Sequence, residues 1–415
     1  MRTCFFLTIL FMFQFHTLFA CTIFNSVEGN SVLVGNNEDY DDTNVSIRFY
    51  PSSGGKYGRV LLKINKSDYP FGGMNDHGLF FDWCALPRRS NIKFPSDKKK
   101  FKGTLCEKML EECATVDDAI NLYNKYNDPW LYEGHMMIVD KTGASTVIEW
   151  GANSLAIIKK TTKYQVLSNF NLTDPKLAGW YPCQRYNNAS KTLKENSVHS
   201  IGLYKKILDL VHQEGQYPTI YSNIYELDKG IVQIFRNHNF ENAVVINLEQ
   251  ELKKGQKFYR LFDIFSSLRL NAPEQSQVVP AGPVIFKWNS NATKYELYCS
   301  KDSLFPNSVP INIDHSGIKK ARFNYGILLI LPGILFFRRF GKTKRSLAMS
   351  LMAIALIFSC KKEDLIFETI DIPQVSDESY TIDSLESGVV YYWKIAGYDN
   401  SGFKTESSVK TFLHK

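Results

Sequence analysis

The chain has 415 residues, of which 44% are apolar and 14% aromatic, and a formal net charge of +7. That length allows two or three domains, and so apolar a composition excludes a disordered chain. The basic run at 88–102 carries no interleaved aromatic pattern, so no nucleic-acid partner is expected. Cys84, Cys106, Cys113, Cys183, Cys299 and Cys360 form neither CxxC pairs nor Cys/His ligand spacings, so no metal and no cofactor are expected.

Residues 1–20 have Arg2, an apolar run from Phe5 to Phe15 and a terminal Ala20. This is the pattern of a secretory signal peptide cleaved after Ala20, which predicts an exported protein. Cleavage would make Cys21 the first residue, with a thiol and an α-amine on one amino acid. Their unperturbed pKa values of about 8.5 and 8 let the amine act as base for the thiol. Two other readings of Cys21 compete. It is an ordinary buried or disulfide cysteine, or it is the lipidated cysteine of a Leu-Phe-Ala-Cys lipobox, whose acylated amine could not serve as a base.

Residues 21–265 alternate strands with a few helices, which predicts an α+β layered domain. CTIFNS and NSVLVGNN read as strands joined at Glu28-Gly29-Asn30, and a second hairpin turns at Lys141-Thr142-Gly143. Thr115 and Asp118 are spaced as a capping box, and residues 198–213 read as a helix. Residues 266–278 are polar and read as a linker. Beyond them, Phe286, Trp288, Tyr295, Leu297 and Cys299 alternate as in β-sandwich strands. The C-terminal stretch with Leu385, Gly388, Tyr392-Trp393-Lys394-Ile395, Asp399, Gly402 and Phe412 resembles the end of a fibronectin type III domain. Residues 279–320 and 364–415 together match the size of one such sandwich. Between them, 323–360 holds two apolar runs around a basic loop. Each run is shorter than the ~20 residues that span a bilayer. The basic loop nevertheless fits a membrane hairpin with both sandwich halves outside, which would tether the protein. Two core helices, or a second lipoprotein-type signal ending at Cys360, are the competing readings.

CTIF followed by V-G-N-N-E-D-Y resembles the opening of the cysteine N-terminal-nucleophile (Ntn) hydrolases. These include the choloylglycine (bile salt) hydrolases and penicillin V acylases, which act on linear amides. In that family the nucleophilic cysteine starts one strand and a G-R-N-x-D segment ends the next. Here the second segment is Gly35-Asn36-Asn37-Glu38-Asp39, so Asp39 matches the family aspartate and Asn36 stands where arginine is usual. Gly73-Met74-Asn75-Asp76-His77-Gly78-Leu79, Val166-Leu167-Ser168-Asn169 and Pro182-Cys183-Gln184-Arg185-Tyr186 resemble further family segments in the family's order. Tyr221-Ser222-Asn223-Ile224-Tyr225 occupies the place of the late strand facing the site.

The resemblance covers about residues 21–265 and implies an αββα four-layer sandwich, followed by the β-sandwich domain that the candidate hairpin interrupts. It also implies four catalytic residues: Cys21 as nucleophile, Asp39 and Arg185 orienting it, and Asn169 donating to the oxyanion. Asn36, Asn75, a backbone N–H near Ala85, and Trp130 are the expected substrate contacts. Asn75 also suits a tight turn, and His77 has no necessary part because an N-terminal nucleophile needs no histidine. The implied activity is hydrolysis of a linear non-peptide amide through a thioester, on a small N-acyl compound such as a bile salt, penicillin V or an N-acyl amino acid. The alternatives are an acyltransferase of the same fold and a non-catalytic lipoprotein module lipidated at Cys21. A protein or glycan partner for the sandwich and a homo-oligomer stay open.

Overall fold

Strands of alternating polarity dominate the computed structural model, which describes residues 21–64, 69–87, 98–151, 154–306, 308–314 and 375–415. Apart from Asp314, these belong to one compact unit. Two antiparallel sheets face each other. The first runs in spatial order Tyr164–Ser168, Thr22–Glu28, Ser31–Asp39, Thr219–Glu226, Ile231–Arg236 and Asn242–Asn247. The second runs Leu155–Lys159, Ser145–Trp150, Gly134–Val139, Phe80–Ala85, Gly72–Asn75, Arg59–Ile64, Val45–Tyr50 and Lys257–Arg260.

Both expected hairpins form. Gly29 and Gly143 sit at positive φ in their turns, a conformation that glycine adopts without a Cβ clash.

Helices cover the outer faces. Helices α1 (Leu105–Glu112) and α2 (Val116–Lys125) bury Met109, Leu110, Ile120 and Tyr123 against Leu61, Phe81 and Ile138 of the second sheet. The Thr115/Asp118 capping box is present at the start of α2. Helices α3 (Gln184–Glu195) and α4 (Ile201–Leu210) pack Leu193, Tyr204 and Ile207 on Phe24, Leu33 and Phe235 of the first sheet. Between the sheets lies a third core with Cys21, Ile23, Val34, Phe80, Cys84 and Tyr225. The layer order is therefore helix, sheet, sheet, helix, the αββα arrangement that the resemblance implies.

The C-terminal strands are not a separate appendage. The 266–278 stretch expected as a linker contains the strands Leu268–Ala272 and Gln277–Val279, which pair with Val284–Ser290 and Lys410–His414. Trp288, Trp393, Phe286, Phe412 and Leu297 form a core of their own. The two lobes share a sheet: Asn242–Asn247 pairs antiparallel with Lys404–Ser407, with Val244 opposite Thr405. The Asn242–Asn247 edge of the first sheet is thereby covered, which removes a template for unwanted strand pairing. Phe403 enters the inter-sheet core edge-on to Tyr259, with ring centroids 4.8 Å apart. Truncating a buried Phe of this kind costs about 3–5 kcal/mol.

The expected signal peptide (1–20) and membrane hairpin (323–360) lie outside the described residues. Among those described, no helix is long and apolar enough to cross a membrane, so the hairpin finds no support there.

Candidate active site

Cys21 immediately precedes the Thr22–Glu28 strand and is 3% exposed. Its surroundings follow from the period-two alternation of the adjoining strands. Thr22, Asn37 and Asp39 point to the α3–α4 side, whereas Ile23, Asn36 and Glu38 point between the sheets.

On the helix side, Arg185 in the first turn of α3 is the hub. One terminal nitrogen donates to the Cys21 carbonyl at 2.8 Å and to Thr22 Oγ1 at 2.7 Å, and the other to Asn169 Oδ1 at 3.0 Å. Ser168 Oγ also donates to the Cys21 carbonyl, at 3.3 Å. Arg185 Nη1 lies 3.7 Å from Asp39 Oδ2. Asp39 is completely buried and accepts from Gln213 Nε2 at 3.1 Å and from the Thr219 hydroxyl. Burial pushes the Asp39 carboxyl up to about 7, against the pull of Arg185, Thr219 and Gln213.

Asn169 is oriented at both ends of its amide. Arg185 donates to its oxygen, and its Nδ2 donates to the Ala85 carbonyl at 3.0 Å. The Leu86 N–H donates to the Glu133 carbonyl across that ladder, while the Glu133 N–H turns back to the Trp130 carbonyl. The polar groups of Ala85 consequently turn to the opposite side, where its carbonyl meets Asn169. The turn carrying Asn169 is held from below by His135, whose Nε2 meets the Ser168 carbonyl at 2.8 Å and whose Nδ1 meets Glu149 at 3.0 Å. Burial raises the Glu149 carboxyl, but His135 and the N–H and hydroxyl of Thr173 outweigh it and hold the group at about 2.

Between the sheets the character changes. The Cys21 thiol donates to Glu38 Oε1 at 3.2 Å. Asn36 donates to Asp82 Oδ2 at 2.9 Å, and Asp82 Oδ1 accepts from the Trp83 N–H. Asp82 fits because Gly72 opposes it: a Cβ on Gly72 would lie 2.3 Å from Asp82 Oδ2. Tyr221 stands opposite Glu38, and Asn223 opposite Asn36. Glu38 Oε2, Asn36 Oδ1, Asn223 Oδ1 and the Tyr221 hydroxyl are buried without a partner. Burial, reinforced by Asp39, pushes Glu38 up to about 8 despite the thiol and Asn36 hydrogen bonds. Burial and Glu38 raise Asp82 well above the usual carboxylate range. Burial, then Glu38, Cys84 and Asp39, raise the Cys21 thiol, and only the Asp39 backbone N–H opposes them. The thiol therefore rests protonated and needs a base to react.

The structure thus gathers Cys21, Asp39, Asn169, Arg185 and the Ala85 backbone into one hydrogen-bonded group, with Asn36 on the inner face beside it. Two expected substrate contacts lie elsewhere. Asn75 donates to the Leu110 and Cys113 carbonyls at the end of α1 and accepts from the His77 and Leu79 N–H groups, so its amide is engaged in a turn. Trp130, 39% exposed, packs on Tyr69 with ring centroids 4.3 Å apart. Tyr69 borders the α1–α2 core, whereas Cys21 belongs to the core between the sheets. Sequence reasoning missed Glu38, Asp82, His135 and Glu149. Ionisable residues inside otherwise apolar strand patterns were the available clue.

The profile of the acyl-coenzyme A:6-aminopenicillanic acid acyl-transferase family matches residues 26–244, just over half of the chain. The chain belongs to this family. Asp39, Asn169 and Arg185 fall inside the family match, and Cys21 lies five residues before its start. Among solved structures, penicillin V acylase from Agrobacterium tumefaciens is similar at 18% identity and a TM-score of 0.45, over 57% of this chain and 90% of that one. A variant of conjugated bile acid hydrolase from Clostridium perfringens is similar at 19% identity and a TM-score of 0.45, over 58% and 96%. The Caenorhabditis elegans ortholog of N-acylethanolamine-hydrolyzing acid amidase is similar at 15% identity and a TM-score of 0.39, over 50% and 93%. No curated protein sequence matches the chain.

Proposed function

We propose that the mature protein is an exported acyl-transfer enzyme in which Cys21, freed by cleavage after Ala20, attacks the carbonyl of a linear N-acyl amide. The observation that carries this reading is the Arg185 hub, which ties the Cys21 carbonyl, Thr22 and Asn169 together and sets Asp39 beside them. The Cys21 amine takes the thiol proton, and the sulfur forms a bond to the carbonyl carbon. Negative charge moves to the carbonyl oxygen, where the Asn169 side-chain amide and the Ala85 N–H are the candidate donors. The protonated amine then gives its proton to the leaving nitrogen as the C–N bond breaks, leaving a thioester on Cys21. Water resolves the thioester in a hydrolase, and an amine acceptor resolves it in an acyltransferase. The name of the family favours keeping the second outcome in view. The C-terminal strands, on this reading, are a fibronectin type III-like sandwich built into the enzyme's sheet rather than a spacer.

Intact mass of the mature chain tests the first step. A chain beginning at Cys21 with an unmodified amine supports the proposal, and a diacylglyceryl adduct replaces it with the lipoprotein reading. Turnover of bile salts, penicillin V and N-acyl amino acids, with and without an added amine, then separates hydrolysis from acyl transfer.

A further inference from the structure

Outside the Cys21 group, one cluster among the described residues has the chemistry of a metal centre: His212, Glu214 and His238. The sequence gives no spacing to suggest it, because His238 lies on a different segment from the other two. His212 and Glu214 follow α4, and His238 sits in the turn after the Ile231–Arg236 strand. The ligand atoms of all three lie within 4.8 Å of one another. His212 Nε2 is 3.7 Å from Glu214 Oε1. Bonds of roughly 2.0–2.2 Å to nitrogen and oxygen ligands in a tetrahedron place neighbouring ligand atoms about 3.5 Å apart, so this edge is already near the required length.

Two further observations point to a ligand. First, His212 Nδ1 is engaged by the Asp209 carbonyl, with the Asp209 carboxylate 3.6 Å away. Binding its hydrogen there leaves Nε2 as the coordinating atom, and a metal-bound histidine is oriented in this way by its outer partner. Second, His238 Nδ1 is buried and has no partner. The two imidazoles rest stacked, with centroids 4.2 Å and planes 21° apart, so one ring must turn about its side-chain bonds for both nitrogens to face one ion.

We propose that His212, Glu214 and His238 bind one divalent transition-metal ion of the zinc class. Two imidazoles and one carboxylate suit zinc, nickel or copper, whereas magnesium and calcium want oxygen ligands. The site also bears on the active site. Gln213, between two of the ligands, donates to Asp39 and is pinned through its backbone to Thr219, which itself bonds Asp39. A bound ion would brace the segment that holds Asp39 in place.

Calorimetric titration of zinc chloride into the mature chain carrying Cys21→Ala tests this, the substitution keeping the nucleophile from competing as a ligand. The expected result is one equivalent bound, a raised Tm at saturating zinc, and no comparable binding of magnesium. His238→Ala should abolish binding. Glu214→Gln, at a side chain 78% exposed and so harmless to folding, should weaken it about tenfold or more. Absence of binding at about 100 µM zinc, or binding that persists unchanged in both variants, overturns the proposal.

Discussion

Two neighbouring acidic residues at the end of one strand live in opposite surroundings. Asp39 faces the helices and is met by Arg185, Thr219 and Gln213. Glu38 faces the opposing sheet, where it meets the Cys21 thiol and has Asp82 as a like-charged neighbour. On the helix side the polar groups are matched to donors. Between the sheets, four polar atoms are buried without partners. Burial raises both carboxyls, but the arginine restrains only one of them. The helix side fixes the Cys21 backbone, while burial and the carboxyls on the inner side hold its thiol protonated.

The strongest way to break the comparison is Cys21→Ala, which should lower acyl transfer by at least ~1,000-fold; an active alanine variant sinks the whole scheme. Next is Asn169→Ala, expected to lower kcat about 100- to 1,000-fold through loss of an oxyanion donor. Arg185→Met should follow, lowering kcat about 100-fold by releasing the Cys21 carbonyl and Asn169. Because it also strips buried Asp39 of its cation, urea unfolding should show a loss of about 2–4 kcal/mol.

Glu38→Gln probes the inner side, and its effect should depend on pH. The Glu38 carboxyl rises from 4.5 to about 8 on folding. Between those values the native state holds a proton that the unfolded state has released, so stability falls as pH rises from about 4.5 to about 8. Asp39, raised from 3.8 to about 7, acts in the same direction. Glu38→Gln should therefore flatten the decline in Tm across that window, with its largest gain above pH 8. Above pH 8, where Glu38 is ionised, the substitution should also speed iodoacetamide alkylation of Cys21, since burial and then the Glu38 charge hold the thiol's pKa up. Equal alkylation rates in both proteins would remove the inner side from control of the nucleophile. The smallest effect on activity belongs to Asn75→Ala. It should cost about 2–3 kcal/mol through lost turn hydrogen bonds, with kcat/KM unchanged; a selective rise in KM would return Asn75 to the substrate site.

Much of this protein could be read from local pattern. Period-two alternation marked the strands, glycine marked the hairpin turns, and Thr115 with Asp118 marked the start of α2, because each depends on residues only a few positions apart. Cys21, Asp39, Asn169 and Arg185 could be named as a set because each lies in a short motif, in family order. Their mutual geometry, including the Ala85 carbonyl that accepts from Asn169 where a backbone N–H donor was expected, came only with the fold.

The tertiary structure alone decided the rest. Asn36 reaches Asp82 across 46 residues, and His135 reaches Ser168 across 33. The polar linker became sandwich strands because Leu268 and Leu270 found a core, and Phe403 joined the inter-sheet core from the far end of the chain. His238 met His212 only through the pairing of the late strands. Propensity and turn chemistry act over a few residues, and the sequence carries them openly. Burial and electrostatic environment are sums over whatever the folded chain brings near, so they exist only in three dimensions.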